Sequence, residues 1–186
     1  MRQFFNLIQL VIIEIENRRA RFSEYEQRFI DLALPGVEKA HAKRLVRLAQ
    51  IRHFDAGEVL VGEGDKVETL LFVLEGAARI DKQQTMVGVC GRDDFIGEIG
   101  FMLDSEATAT ATVTNQMTCF SFDRAPLAAM LGRDENLRHA MESSFNRNLV
   151  GKLIKSNNEA GGLPRVSIPE PAGKPSSSTT AEPSAG

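Results

Sequence analysis

The chain has 186 residues, of which 42% are hydrophobic and 25% are charged, and its formal net charge at pH 7 is −3. This length and composition predict one soluble globular domain with appendages. The charges are mixed along the chain rather than grouped, which argues against a nucleic-acid-binding groove and a nucleic-acid partner.

The cysteines and histidines predict neither a disulfide nor a metal site. Cys90 and Cys119 both fall in apolar, strand-like runs, which is typical of reduced thiols in a protein core. His41, His53 and His139 are scattered and have no cysteine or carboxylate nearby at ligand spacing. We therefore expect a reducing, cytoplasmic setting and no cofactor.

Residues 1–22 combine an apolar run, Phe4 to Ile13, with a basic cluster at Arg18, Arg19 and Arg21. The run is shorter than the ~20 apolar residues that a membrane-spanning helix needs. One interpretation is an amphipathic helix that packs on the domain or on a second copy, giving a homodimer. The other is an interfacial or truncated membrane segment, with the arginines at the inner face of the membrane.

Two helices are predicted before residue 51. Ser23 and Glu26 form a capping box for a helix from Glu24 to about Leu34, which Pro35-Gly36 ends. A further helix is predicted from Val37 to Gln50. Its apolar positions, which we expect to face inward, are Val37, Ala40, Leu45, Leu48 and Ala49.

From Ile51 onward the hydrophobic pattern alternates, and short apolar runs are separated by turn residues. Such a series of short strands predicts a β-sandwich or a jelly-roll barrel. The candidate strands are Ile51 to Phe54, Glu58 to Val61, Thr69 to Leu74, Ala77 to Asp81, Thr85 to Cys90, Thr108 to Val113 and Met117 to Phe122.

The stretch from Asp94 to Val113 is the most distinctive part of the chain. It reads Asp-Phe-Ile-Gly-Glu-Ile-Gly-Phe-Met-Leu, then Asp-Ser-Glu-Ala-Thr-Ala-Thr-Ala-Thr-Val. The glycines around Glu98 permit a tight turn that exposes backbone N–H groups to a small anion. The alternation of alanine and threonine that follows predicts a strand.

This stretch resembles the phosphate-binding cassette of cyclic nucleotide-binding domains, in which Phe-Gly-Glu precedes an apolar run, a loop and Arg-x-Ala-Thr-Val. The glycines at Gly57, Gly64 and Gly76 also resemble the β-roll signature of that family. The resemblance implies an α+β fold, with N-terminal helices, an antiparallel β-roll or jelly-roll barrel with a short cassette helix, and C-terminal hinge and lid helices. It implies cAMP or cGMP as the ligand and a site at Gly97, Glu98, Ile99, Gly100, Phe101, Ala107, Thr108 and Ala109.

The cassette departs from the family pattern at its arginine, which pairs with the cyclic phosphate in that family. Depending on the loop register, Ala107, Thr108 or Ala109 takes that position, and no Lys, Arg or His occurs between Arg92 and Arg124. An arginine fork on a phosphate is among the stronger polar contacts, so its absence predicts weaker ligand binding.

Two helices are predicted after the strands, the first over Arg124 to Leu131 capped by Asp123, and the second from Glu135 to about Ser156 capped by Asp134. The second helix carries apolar residues at every fourth position: Leu137, Met141, Phe145, Leu149 and Leu153. The resulting domain is 23–156, with helices at 23–50, the β-roll at 51–122 and helices at 123–156. Residues 157–186 are rich in Gly, Pro, Ser and Thr, which predicts a disordered tail without a DNA-reading helix-turn-helix.

The segment from Glu16 to Gln27 is also similar to the lead-in of membrane-anchored Popeye-type bacterial proteins, which favours a membrane-proximal N-terminus. The function predicted is a regulatory module that senses cAMP or cGMP, with the helix from Glu135 closing over the bound ligand. The alternative is a β-roll without a ligand that serves as a protein-interaction or membrane-associated scaffold. No catalytic triad, Cys-His pair or Walker loop occurs, so we expect no enzyme activity.

Overall fold

The computed structural model describes residues 24–159, which form five helices and eight strands. Helix α1 covers residues 24–33 and α2 covers Lys39–Val46. Helix α3, the cassette helix, is Glu98–Leu103, and α4 (Arg124–Leu131) and α5 (Glu135–Glu159) follow the last strand. The strands are β1 Gln50–Phe54, β2 Val59–Val61, β3 Thr69–Glu75, β4 Ala78–Lys82, β5 Thr85–Cys90, β6 Phe95–Ile96, β7 Thr110–Val113 and β8 Met117–Asp123.

The strands form two antiparallel sheets of four strands each. Sheet A has the order β1-β8-β3-β6, and sheet B has the order β2-β7-β4-β5. This arrangement confirms the predicted α+β fold with an antiparallel β-roll. Among the described strands no ladder joins the two sheets, so the roll is open rather than a closed barrel.

Strand β3 explains how the core is divided. Leu70, Phe72 and Leu74 pack with the helices, whereas Leu71 and Val73 point to the space between the sheets. Because both faces of β3 are covered, its sequence is a continuous apolar run rather than an alternating one. The helices and the second sheet therefore build separate hydrophobic clusters on the two sides of sheet A.

The helix predicted from Val37 to Gln50 is shorter in the structure. It ends at Val46, and Gln50 already belongs to strand β1. Ala40, predicted to face inward, is exposed, whereas Ala42 and Val46 are buried with Leu45. The buried positions have the i, i+3, i+4 spacing of one helix face, on which Ala40 does not lie.

The two C-terminal helices begin directly after Asp123 and Asp134, as predicted from these two capping residues. Asp134 caps α5 through its carboxylate, which accepts a hydrogen bond from the Leu137 N–H at 3.1 Å. Asp123 occupies the N-cap position of α4, but its side chain makes no capping hydrogen bond. The predicted capping box of α1 includes Ser23, which lies outside the described residues.

The apolar stripe of α5 is buried only in its first half. Leu137, Met141 and Phe145 are buried, but Leu153 is 65% exposed. An α-helix turns by about 100° per residue, so a fourth-residue repeat drifts, and position 153 lies about 80° from position 145 around the helix axis. Position 152 lies only about 20° from it. Lys152 therefore faces the domain at the point where Leu153 does not.

No helix in the described part of the chain is long and apolar enough to cross a membrane. The segment predicted at residues 1–22 and the tail from residue 160 lie outside the described residues. The predicted membrane association and homodimer therefore stay predictions.

Candidate functional site

A cavity of about 140 Å³ lies inside the roll, between sheet B, the cassette helix and α5. Seven of the eight residues predicted for the site line it: Gly97, Glu98, Ile99, Gly100, Ala107, Thr108 and Ala109. Phe101 does not line it. The remaining lining residues are Val61, Val67, Ile80, Cys90, Ile96, Ala111, Leu149 and Lys152.

The glycines of the cassette are required by its geometry. Gly97 precedes α3 with φ +90°, in the left-handed region that favours glycine. A Cβ added at Gly100 would lie 2.5 Å from Val67 Cγ2 and 2.9 Å from the Ser105 carbonyl oxygen. These close approaches bring the start of α3 against the cavity wall at Val67.

Glu98 is the first residue of α3 and is only 3% exposed, although it carries a carboxylate. A buried carboxylate requires a partner, and here the partner is Lys152 of α5. The ammonium group of Lys152 contacts Glu98 Oε1 and also donates to the Phe95 carbonyl oxygen at 2.6 Å. Burial of Lys152 opposes its charge, but Glu98, Cys90 and Asp94 together outweigh this effect, and the pKa of Lys152 is raised.

One turn earlier on α5, Asn148 binds the same edge of sheet A. Its side-chain oxygen accepts the Phe95 N–H at 3.1 Å, and its amide nitrogen donates to Asp94 Oδ1 at 2.9 Å. Asp94 is itself buried and accepts a hydrogen bond from the Gly91 N–H. Asn148 and Lys152 together therefore satisfy the N–H and the carbonyl of Phe95 and hold α5 on the open edge of β6.

Depending on the loop register, one of Ala107, Thr108 and Ala109 takes the position expected for the arginine, and all three lie on the cavity wall. Arg124, the next arginine along the chain, lies behind the cassette helix instead. Its guanidinium donates to the carbonyl oxygens of Gly100 and Phe101, each at 3.3 Å, near the end of α3.

Phe101 packs on the outer side of the cassette helix. Its ring centroid lies 6.1 Å from that of Phe145 on α5, and the Arg124 guanidinium lies 5.2 Å from the Phe101 ring centroid. Asp104, in the cassette loop, accepts a hydrogen bond from Arg124 at 2.6 Å. Phe101 and Arg124 thus fix the orientation of α3 from behind rather than contributing to the cavity.

The cavity lining carries three ionisable side chains, those of Glu98, Lys152 and Cys90. Desolvation raises the pKa of Cys90 to about 11 and that of Cys119 to about 12, so neither thiol is a ready nucleophile at neutral pH. Within residues 24–159 no group of His, Cys, Asp and Glu is arranged to hold a metal ion. The cavity offers one carboxylate, one ammonium group and mostly apolar walls.

Lys152 is the site residue that the sequence interpretation missed. It is 54 positions from Glu98 in the chain, and a lysine in an amphipathic helix is normally expected to face solvent. The sequence signal that could have identified Lys152 is its angular position on the helix, which is close to that of Phe145. The fourth-residue repeat drew attention to Leu149 and Leu153 instead.

Comparison with known proteins gives a consistent result. The model of the cyclic nucleotide-binding domain family matches residues 51–134. The chain is 30% identical over 91 residues to a cGMP-dependent protein kinase of Eimeria tenella, covering 49% of this chain and 9% of the kinase. It is 24% identical over 132 residues to Vfr, a cAMP-activated global transcriptional regulator of Pseudomonas aeruginosa, covering 66% of this chain and 60% of Vfr.

The fold also matches that of the solved Thermus thermophilus catabolite activator protein. The TM-score is 0.56 at 16% identity, and the superposition covers 69% of this chain and 62% of the activator. The chain spans less than two thirds of the length of each of these three proteins. The similarity therefore concerns a shared domain rather than whole proteins.

Proposed function

Because residues 51–134 belong to the cyclic nucleotide-binding domain family, we propose that this module binds cAMP or cGMP in the cavity at Glu98 and acts as a regulatory domain. The observation that carries the proposal is the buried Glu98 carboxylate at the start of the cassette helix, on the wall of the cavity. Its position corresponds to the family's glutamate, which accepts a hydrogen bond from the ribose 2′-hydroxyl.

The cyclic phosphate would lie near the backbone amides at the start of α3, where helical N–H groups have no partner within the helix. Thr108 supplies a hydroxyl on the same wall. Neutral donors bind anions less strongly than an arginine does, so we expect an affinity lower by about 1.5–3 kcal/mol than a cassette with that arginine would give.

Two properties of the cavity favour the alternative function, a roll without a ligand that serves as an interaction scaffold. The cavity is smaller than the ~300–1,000 Å³ typical of small-molecule sites. Glu98 is also already paired with Lys152. For this function the contact surface would include the exposed apolar residues near the end of α5, which are Val150, Leu153 and Ile154.

Calorimetric titration of the full chain with cAMP and with cGMP separates the two functions. We expect saturable binding of one nucleotide, and we expect Glu98→Gln to weaken it about tenfold or more, because a charged acceptor is lost. Gln is preferable to Ala because it keeps a polar side chain beside Lys152. The matched control is Glu106→Gln, since Glu106 is an exposed glutamate in the cassette loop.

Binding that is unchanged in Glu98→Gln would remove Glu98 from the site. The absence of binding heat at millimolar nucleotide, from protein shown to be folded by circular dichroism, would favour the scaffold. In either function we expect no catalysis, which the raised thiol pKa values support.

A further inference from the structure

Lys152 stands out among the residues of the cavity because it is the only cation in the described lining. It comes from α5, outside the region that matches the family model, and the cassette pattern contains no equivalent of it. Its side chain is 21% exposed, so most of the lysine lies within the protein. A lysine is rarely buried without a reason, and here the reason is the Glu98 carboxylate.

Lys152 contacts the Glu98 carboxylate, which is the group that a bound nucleotide would also need. Glu98 Oε1 is engaged by the Lys152 ammonium group, and the Glu98 side chain is almost fully buried beneath it. A ribose hydroxyl that donates to Glu98 would have to enter the same space. Lys152 and a nucleotide therefore compete for one acceptor.

The walls of the cavity support the same conclusion. Leu149, one turn before Lys152, also lines the cavity, so α5 contributes both an apolar side chain and a cation to it. The remaining volume of about 140 Å³ is below the usual range for a small-molecule site. Withdrawal of this part of α5 removes two of the lining side chains, Leu149 and Lys152, and frees Glu98 at the same time.

We propose that Lys152 is an internal ligand of Glu98, which holds α5 over the cavity in the absence of a nucleotide and must be displaced before a nucleotide binds. The competition with a nucleotide rests on the proposed function, whereas the closure of α5 by Lys152 does not. This scheme reverses the lid closure that the family resemblance implied: the closed position of α5 belongs to the ligand-free state, and a ligand shifts the population toward an open one.

Cys90 provides a readout of closure that needs no nucleotide. It lines the cavity and is 3% exposed, whereas Cys119 is fully buried in β8 and is not among the lining residues. Opening of α5 should expose Cys90 alone, and global unfolding should expose both thiols. The rates at which a methanethiosulfonate reagent modifies the two cysteines of the native full chain, located by peptide mass spectrometry, therefore distinguish the two events.

We expect Lys152→Met to increase the Cys90 modification rate about tenfold or more, because a charged hydrogen bond that holds α5 is lost, with little change at Cys119. The direction is informative because Lys152 lowers the pKa of Cys90. Removal of its charge alone would leave less thiolate and slow the reaction. A faster reaction thus reports access to the thiol rather than its acidity.

The matched control is Lys66→Met, in which an exposed lysine paired with Glu68 is replaced. Glu98→Gln weakens the same contact from the other side and should also accelerate Cys90 modification, and part of that rise reflects acidity, because the Glu98 charge raises the pKa of Cys90. An unchanged Cys90 rate in both Lys152→Met and Glu98→Gln would overturn the proposal. A parallel rise at Cys90 and Cys119 would overturn it as well, since it would show a loss of global stability instead.

Titration with cAMP and cGMP tests the competition. We expect Lys152→Met to bind the preferred nucleotide about tenfold more tightly than the unmodified chain and Lys66→Met to leave affinity unchanged. Weaker binding by Lys152→Met would overturn the proposal and identify Lys152 as a cation that pairs with the ligand. If neither the unmodified chain nor the variant binds a nucleotide, the proposed function fails, and the Cys90 rates still decide whether Lys152 closes the cavity.

Discussion

The two faces of sheet A bury different kinds of side chain. The face toward the helices carries phenylalanines, and the centroid of Phe72 lies 5.0 Å from each of those of Phe29 and Phe95. The face toward sheet B carries small or aliphatic residues, including Val73 and Cys119, opposite Ala78 and Ala111 of sheet B. Large interlocking rings fill the first space, whereas the second retains a cavity.

This difference indicates that the aromatic face contributes mainly to stability, whereas the face toward sheet B mainly forms the cavity. The aromatic layer joins α1 and α5 to the sheet through Phe29 and Phe145, and each ring lies close to Phe95. The small residues between the sheets bury less apolar area per side chain, which leaves room beside Glu98. We therefore expect substitutions in the aromatic layer to reduce stability most, and substitutions between the sheets to act mainly on the cavity.

Phe72 and Val73 provide the largest expected contrast, because they are neighbours in β3 and point to opposite faces. Phe72→Ala should lower the free energy of unfolding by about 3–5 kcal/mol, through lost burial and the large void left behind. Val73→Ala removes two methyl groups and should cost roughly 1.6 kcal/mol from transfer alone. Urea denaturation followed by circular dichroism measures both. Equal losses for the two variants would contradict the division between the faces.

Substitution of Gly100 tests how tightly the cassette helix packs beside the cavity. Gly100→Ala should destabilise the chain by about 1–3 kcal/mol, because the new methyl group would overlap Val67 Cγ2 and approach the Ser105 carbonyl oxygen. The double variant with Val67→Ala should recover part of this loss, since the overlap with Cγ2 is removed while the approaches to the Ser105 carbonyl oxygen and to Val67 Cβ, at 3.2 Å, remain. Urea denaturation of the single and double variants gives the coupling.

Gly151→Ala is the control for Gly100→Ala, as Gly151 lies in α5 and an added Cβ would meet nothing within 4 Å. We expect that control to be neutral or to stabilise α5 by up to ~1 kcal/mol through helix propensity. If Gly100→Ala were equally neutral, the cassette helix would be loosely packed against Val67. The looser packing that distinguishes the cavity side from the aromatic layer would then include the cassette helix.

Most of the fold was predictable because the strands are short apolar runs between turn residues. Strand β5 has the predicted bounds, and β3 extends by one residue beyond its prediction. Strand β6 was missed because it has only two residues and is defined by its pairing with Leu71 and Phe72 of β3 rather than by local pattern. Helix α2 was overextended because its apolar residues continue past Val46 into the loop before β1.

The sequence predicted the cassette residues that line the cavity, but it did not predict that Lys152 of α5 packs over them. Gly97, Glu98 and the residues from Ala107 to Ala109 are close in sequence, so a single motif brings them together. Lys152 reaches Glu98 only because α5 packs back across β5 and β6, a tertiary contact that no local pattern encodes. The drift of a fourth-residue repeat around the helix shows which residue of α5 faces inward once the helix is known to dock there.

The smallest expected effect concerns the start of α5, where a polar contact supplements the aromatic layer. Asp134 caps the helix at Leu137 and also contacts His41 of α2. Asp134→Ala should cost about 0.5–2 kcal/mol, and Asp134→Asn should cost less because asparagine is an equally good N-cap. A loss as large as that of Phe72→Ala would show that the helices depend on this cap more than on the phenylalanines.

The pH dependence of the same variants separates the cap from its charge. The hydrogen bond from the Leu137 N–H, reinforced by His41 against the opposing effect of desolvation, lowers the pKa of Asp134 below its ordinary value of 3.8. A carboxylate with a lowered pKa in the folded state contributes stability that is complete above the unfolded pKa and is lost as the pH falls through the folded one. The advantage of the unmodified chain over Asp134→Asn should therefore shrink as the pH falls below about 3.8. An advantage that is independent of pH down to the lowest value at which both proteins unfold reversibly would assign the effect to the geometry of the cap alone.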